Sequence, residues 1–194
     1  MRSARPRSSP DARRFALALA ALVAVAAPPS FADFSGRVVA VADGDTITVR
    51  DGARDVHVRL WGIDAPERGQ PWSKRSRQAL AARALRQDAE VAERGKDSYG
   101  RTLARVVVGG TDLGDAQLAD GLAWVYRRYS NDGAMLALEE GARSARRGLW
   151  SLPEPEPPWQ WRARRTQGEA ATQRPSVGRA GSGASGLPLG NVQN

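Results

Sequence analysis

In the first stretch of the chain that can form a domain, apolar and polar residues alternate in three short runs. In FSGRVVAV, Val39 and Val41 fall on one face; in TITVR, Ile47 and Val49 do. In RDVHVRL, Val56, Val58 and Leu60 alternate with Asp55, His57 and Arg59. A period of two predicts strands. The breaks at ADGD and Asp51-Gly52 predict tight turns, so this stretch reads as a three-strand meander.

The period changes at Ser73. Ala79, Leu80, Ala84 and Leu85 recur at near-helical spacing, which predicts a helix over 73–88 with a basic polar face. AEVAERG predicts a short strand, Gly-Lys-Asp a connection, and 103–108 a longer strand turned by Gly109-Gly110. TDLGDAQLADG predicts a short extended piece and a second helix, opened by Asp115 and ended by Gly121. DGAMLALEEGARSARRGLW predicts a third helix, with Leu149 and Trp150 closing the domain. Five strands and three helices within 33–151 are too few for a sandwich. They suit a compact barrel with helices packed outside.

The ends differ from this body. Arg13 and Arg14 precede FALALAALVAVAA, an uncharged run too short to cross a bilayer comfortably. With small residues at Ser30 and Ala32, it reads as a secretory signal peptide over 1–32, cleaved after Ala32. The expectation is export to the periplasm or the medium, with no stable membrane insertion after cleavage. Residues 152–194 open with LPEPEPPWQW and continue in Gly, Ser, Ala, Pro, Gln and Arg. This segment reads as a Pro/Gly/Ser-rich linker and disordered tail. Trp159 and Trp161 either dock on the domain or a partner, or stand exposed; exposure is the simpler expectation.

The net charge of +8 shrinks once divided, because residues 1–32 carry +4 and residues 33–151 only +2. A nucleic-acid role must therefore rest on where the arginines sit. The chain has no cysteine and one histidine, His57. Disulfides, thiolate sites, cysteine nucleophiles and histidine-based triads are excluded. Carboxylates and arginines remain.

These groups gather in two places. VRLWGIDAPERGQPW sets Arg59, Asp64 and Glu67 among apolar and turn-forming residues, and Pro66 fixes the backbone around Ala65. In ADGDT, Asp43 reads as a turn former and Asp45 opens the second strand, with Gly44 permitting a tight bend. Two carboxylates from separate segments, with a backbone carbonyl and water, would make an oxygen-only site for calcium or magnesium. Beside such a cation, arginine forks such as those of Arg59 and Arg101 match phosphate oxygens, and a carboxylate can take a proton from water.

The motifs DGDT at 43–46, VRLWGIDAPE at 58–67, DSYGR at 97–101, LADGLAWVY at 118–126 and ARRGLW at 145–150 occur in an order that resembles the staphylococcal-nuclease-like family, or thermonucleases, over about 38–150. The resemblance implies an OB-like five-stranded β-barrel packed against three α-helices. It implies a calcium-dependent phosphodiesterase that hydrolyses DNA and RNA, leaving 3′-phosphate ends; from the residues themselves, the lack of a base-reading motif points to little sequence preference, and Ser98 favours endonucleolytic attack. Carried over by position, Asp45, Asp64 and the Ala65 carbonyl resemble the calcium ligands. Alanine stands at 65 where threonine is usual. Glu67 matches the general base, Arg59 and Arg101 the phosphate-contacting arginines, and Tyr99 the aromatic beside the nucleotide. Tyr126 and Tyr129 either line the pocket or support it from below. Ser98 replaces a lysine that often meets a terminal phosphate. The substrate partners are DNA and RNA, and the chain is expected to be a monomer. His57 reads as a structural or groove residue. The rival reading is a non-catalytic nucleic-acid-binding module on the same fold.

Overall fold

The computed structural model describes residues 33–172. The expected signal segment 1–32 and the tail beyond 172 lie outside the described residues. The strands are β1 (Phe34–Val41), β2 (Thr46–Asp51), β3 (Arg54–Leu60), β4 (Ile63–Asp64), β5 (Asp88–Lys96), β6 (Thr102–Val108), β7 (Thr111–Asp112) and β8 (Trp124–Val125). The helices are α1 (Ser73–Ala84), α2 (Leu113–Ala119), α3 (Gly133–Ser144) and α4 (Pro158–Thr172), with a 3₁₀ turn at Gly148–Ser151.

The meander forms as its alternation predicts: β1, β2 and β3 pair antiparallel in sequence. β5 then pairs with β1, and β6 with β5. A parallel β3–β6 pairing, with Val58 opposite Thr102, closes a five-stranded barrel. Closure leaves β3 with a partner on each side, so Arg59 projects from a fixed backbone. Val38, Ile47, Val49, Val58, Leu60, Val91, Ala104 and Val106 fill the interior.

Local signals place the element ends. β1 carries a register shift between Val38 and Ala40. The inward residues are therefore Val38 and Val41, not the expected pair Val39 and Val41, because a bulge resets the alternation. α1 stops at Ala84 rather than continuing to 88: Leu85 is extended, Arg86 takes a left-handed φ of 65°, and its amide donates to the Val38 carbonyl. Asp88 is thereby released into β5, which is a long strand and not the short one the pattern suggested. α2 is capped by Asp112, whose carboxylate accepts from the Asp115 amide at 2.9 Å, one turn earlier than expected. Gly121, at φ 68°, ends that segment as predicted.

The greatest departure is α4. Pro158 stands at its first position, where the missing amide costs nothing, and the helix runs through a segment expected to be linker. Trp159 packs beside Tyr126, ring centroids 5.8 Å apart, and against the cluster of Trp124, Ala142, Leu149 and Trp150. Burying that indole offsets the ordering of the helix. Gln70 Nε2 adds a 2.6 Å hydrogen bond to the Glu156 carbonyl. Among the described residues, no helix is long and apolar enough to cross a membrane.

Gly44 shows how packing fixes the loop before β2. A Cβ there would lie 1.9 Å from Ser76 Oγ of α1 and 2.8 Å from the Ala65 Cβ. Gln117 Nε2 donates to the Gly44 carbonyl at 2.7 Å and to the Ser76 carbonyl at 3.1 Å. Glycine is needed here for close approach rather than for a bend. Gly44→Ala is expected to cost roughly 1–3 kcal/mol in urea unfolding, because the loop must move off α1. Parental stability would show that the loop is not wedged there.

Candidate active site

The barrel brings the two acidic motifs together. Asp45 lies just before β2, next to Thr46, which pairs with Arg59 of β3. The Asp45 carbonyl accepts from the Leu60 amide at 2.8 Å, which ties the loop to the end of β3. Asp64 is held by the β4–β8 pairing, opposite Trp124. Both aspartates are only 1% exposed. Arg59, itself largely buried, spans them: one Nη bonds Asp45 Oδ1 and the other bonds Asp64 Oδ1 at 2.6 Å. The Ala65 amide donates to Asp45 Oδ2 at 2.6 Å, and Thr46 Oγ1 to Asp45 Oδ1 at 3.0 Å.

Buried charge this dense is unbalanced. Burial, opposed by Arg59 and the Ala65 amide and reinforced by Asp43 and Asp64, pushes the Asp45 carboxyl up to about 8. Arg59 is held above its ordinary value: burial lowers it, but Asp45 and Asp64 outweigh that. Two carboxylates sharing one buried guanidinium favour a second positive charge beside them. Asp43 is the turn former expected of it, with Oδ1 accepting from the Asp45 amide at 3.1 Å.

A cleft of about 530 Å³ opens over this pair, lined by Arg59, Glu67, Tyr99, Arg101, Tyr126 and Tyr129 together with Asp43, Asp97, Ser98, Arg128 and Arg162. Arg101 Nε donates to Asp97 Oδ2 at 2.7 Å, and an Nη reaches Thr46 Oγ1 at 3.3 Å. Burial alone would raise Asp97, yet the Arg101 side chain, with the Arg101 and Tyr99 amides, brings it below its usual value. Asp97 thus stays ionised and orients Arg101. Tyr99 is 84% exposed at the rim, with Arg101 5.5 Å from its ring centre. Tyr126 and Tyr129 meet edge to face at 5.0 Å; both line the cleft, and Tyr126 also supports Trp159. His57 lies elsewhere, its Nδ1 3.2 Å from Thr48 Oγ1 on an exposed strand face.

The structure therefore gathers the nine candidate residues chosen from sequence: Asp45, Asp64 and Ala65 at the floor, and the remaining six around the cleft. Sequence reading missed Arg128 and Arg162. Arg162 comes from α4 and grips Asp64 with two bonds, Nη1 to Oδ1 at 3.3 Å and Nη2 to Oδ2 at 2.9 Å, while Nη1 reaches Glu67 Oε1 at 2.5 Å. The signal was present in PPWQWRARR, where a proline can start a helix and an unbroken run follows.

The donor chemistry suits a hard cation. Among the described residues, no three histidine or acidic side chains converge as a metal group. The set is two buried carboxylates, oxygen donors of the kind calcium prefers, with the Ala65 amide bonded to one of them.

The family model described as staphylococcal nuclease homologue matches residues 57–152. The "Micrococcal nuclease" of Shigella flexneri is 44% identical over 154 residues, covering 74% of this chain and 88% of that protein. The chain belongs to the staphylococcal nuclease family. Within the family it is also similar to "Protein ParB" of Escherichia coli, 43% identical over 160 residues, 77% of this chain and 89% of that one. An "Uncharacterized endonuclease" of Escherichia coli O157:H7 is 40% identical over 139 residues, 71% and 91% of the two chains. Asp45 lies outside the span that the family model matches, and Arg162 lies beyond its other end. Asp45 is nevertheless bound to Arg59 inside that span.

Proposed function

We propose that this member of the staphylococcal nuclease family is a calcium-dependent phosphodiesterase acting on DNA and RNA. It is a nuclease, and nucleic acids are its substrates. The observation that carries the finer reading is Arg59 joined to two buried aspartates beneath a cleft that also holds Glu67 and Arg101. Asp45, Asp64 and the Ala65 carbonyl would hold calcium. The bound ion would neutralise phosphate oxygens as charge builds on them.

The chain's own residues do the rest. With Asp45 and Asp64 engaged by the ion, Arg59 would turn its forked donors to the phosphate alongside Arg101, and their charge would balance the five-coordinate transition state. Glu67 accepts the proton of the attacking water. The bond from phosphorus to the 5′ oxygen breaks, which leaves a 3′-phosphate and a 5′-hydroxyl. Arg101 stabilises the leaving oxygen by charge. Tyr99 at the rim and Tyr126 and Tyr129 across the cleft offer flat surfaces to bases without reading their edges. Weak sequence preference follows. Attack within a strand suits an open cleft with Ser98 where a terminal phosphate would otherwise meet a lysine. The apolar run after Arg13 and Arg14, read as part of a leader over 1–32, favours export to the periplasm or medium, and the enzyme is proposed to act as a monomer.

The test is cleavage of labelled DNA and RNA by the chain with calcium added or chelated. Chelation is expected to abolish cleavage and calcium to restore it, with magnesium a poor substitute because it demands tighter octahedral geometry. Full activity in a verified metal-free sample would refute the calcium reading. Tight binding of nucleic acid without any cleavage in calcium would instead favour the non-catalytic module.

A further inference from the structure

Arg162 belongs to neither the sequence motifs nor the barrel, yet it bonds two acidic residues at the cleft. Its guanidinium takes both oxygens of Asp64 and one of Glu67. All three bonds are donated by the guanidinium, which brings a positive charge onto both carboxylates. It is thus a fixed positive charge on the two groups that the proposed reaction needs free.

We propose that α4 is a self-inhibitory cap, and that Arg162 and a divalent cation compete for the Asp64 carboxylate. This rests on the calcium reading given above. Each carboxylate oxygen has limited lone-pair capacity, and Asp64 Oδ1 already accepts from Arg59. With Arg162 in place, Asp64 is committed to three N–H···O contacts. Glu67 Oε1 is likewise occupied by a donor. Removing Arg162 without a replacement charge leaves Asp64 and Asp45 with Arg59 alone. A divalent cation supplies that replacement.

The attachment of α4 is suited to release. It is held at its first turn, by Trp159 beside Tyr126 and by the Gln70 bond to the Glu156 carbonyl just before it. Arg164 is spent locally, on Glu156 at 2.8 Å and over the Trp161 ring at 4.8 Å. From Ala163 to Gly168 the helix is exposed. The Arg162 side chain keeps 42% of its surface in solvent, whereas that of Arg59 keeps 13%. Arg59 is therefore built into the barrel, and Arg162 is laid on it. By linkage, the factor by which docked α4 weakens cation binding is the factor by which a bound cation weakens α4 docking.

The test measures calcium binding by calorimetry in the absence of substrate, in the complete chain and in its Arg162→Gln and Arg162→Lys variants. Hydrogen exchange of the α4 amides is followed with and without calcium. Arg162→Gln is expected to bind calcium at least about tenfold more tightly, and Arg162→Lys to fall between, since lysine keeps the charge without the fork. Calcium is expected to speed exchange at the start of α4 in the parent chain. An unchanged calcium affinity in Arg162→Gln, with weakened substrate binding, would overturn the cap and make Arg162 a substrate contact. Absence of calcium binding in all three proteins would overturn the calcium reading itself, and the cap with it.

Discussion

Arg59→Lys is expected to lower single-turnover cleavage at saturating calcium by about 10²–10³, corresponding to roughly 3–4 kcal/mol of transition-state stabilisation. Arg59 bonds two buried aspartates at once. Its two Nη groups reach Asp45 and Asp64 from a strand paired on both sides. Lysine carries the same charge on a single point. It can approach one aspartate and leaves the other short of a donor in a place with almost no solvent. The loss should therefore appear in the chemical step and also, to a lesser degree, in thermal stability. Folding is checked separately by circular dichroism, and calcium is held saturating so that weaker ion binding does not masquerade as slower chemistry. A variant that stays folded and cleaves at near-parental rate would remove Arg59 from the mechanism.

Glu67→Gln should have an effect of similar size with a different signature. The amide keeps the shape of the side chain and loses the charge that accepts a proton. Turnover is expected to fall by about 10²–10³ while substrate affinity changes little, because Glu67 acts on water and not on the ground-state phosphate. His57→Ala serves as the comparison. That imidazole sits outside the cleft against Thr48, so its removal should be mild. Near-parental rates for Glu67→Gln combined with an inactive His57→Ala would mean that the site had been assembled around the wrong residues.

The barrel was legible because its strands are local patterns. Val56, Val58 and Leu60 alternate in the sequence and still share a face in the structure, with Val58 and Leu60 fully buried. β1 was legible only in part. A two-residue period cannot report a bulge, since the bulge is set by pairing with β2, and so Val38 took the place given to Val39. The helix α1 was read four residues too long for a similar reason. Its stop depends on the Arg86 amide finding the Val38 carbonyl across the molecule.

The site followed the same division. The residue types and their motifs, from DGDT to DSYGR, were enough to nominate Asp45, Asp64, Glu67, Arg59 and Arg101. Their chemistry is carried by side chains that composition left as the main candidates in a chain with no cysteine and one histidine. Which oxygen meets which donor was not in the sequence. Asp45 and Asp64 are joined through Arg59 because the barrel closes by pairing β3 with both β2 and β6.

Alone, the sequence determined the strand periodicity, the order of the motifs and the set of groups able to do chemistry, because each is a property of neighbouring residues. Only the tertiary structure decided that Gly44 must be small, that Asp45 must be buried, and that Arg162 reaches back 98 positions to Asp64. Those outcomes depend on distance through space. α4 shows why: its polar, proline-led sequence offers little apolar surface of its own, and it is held against the barrel by Trp159 and by the unbalanced charge of two carboxylates that lie far from it along the chain.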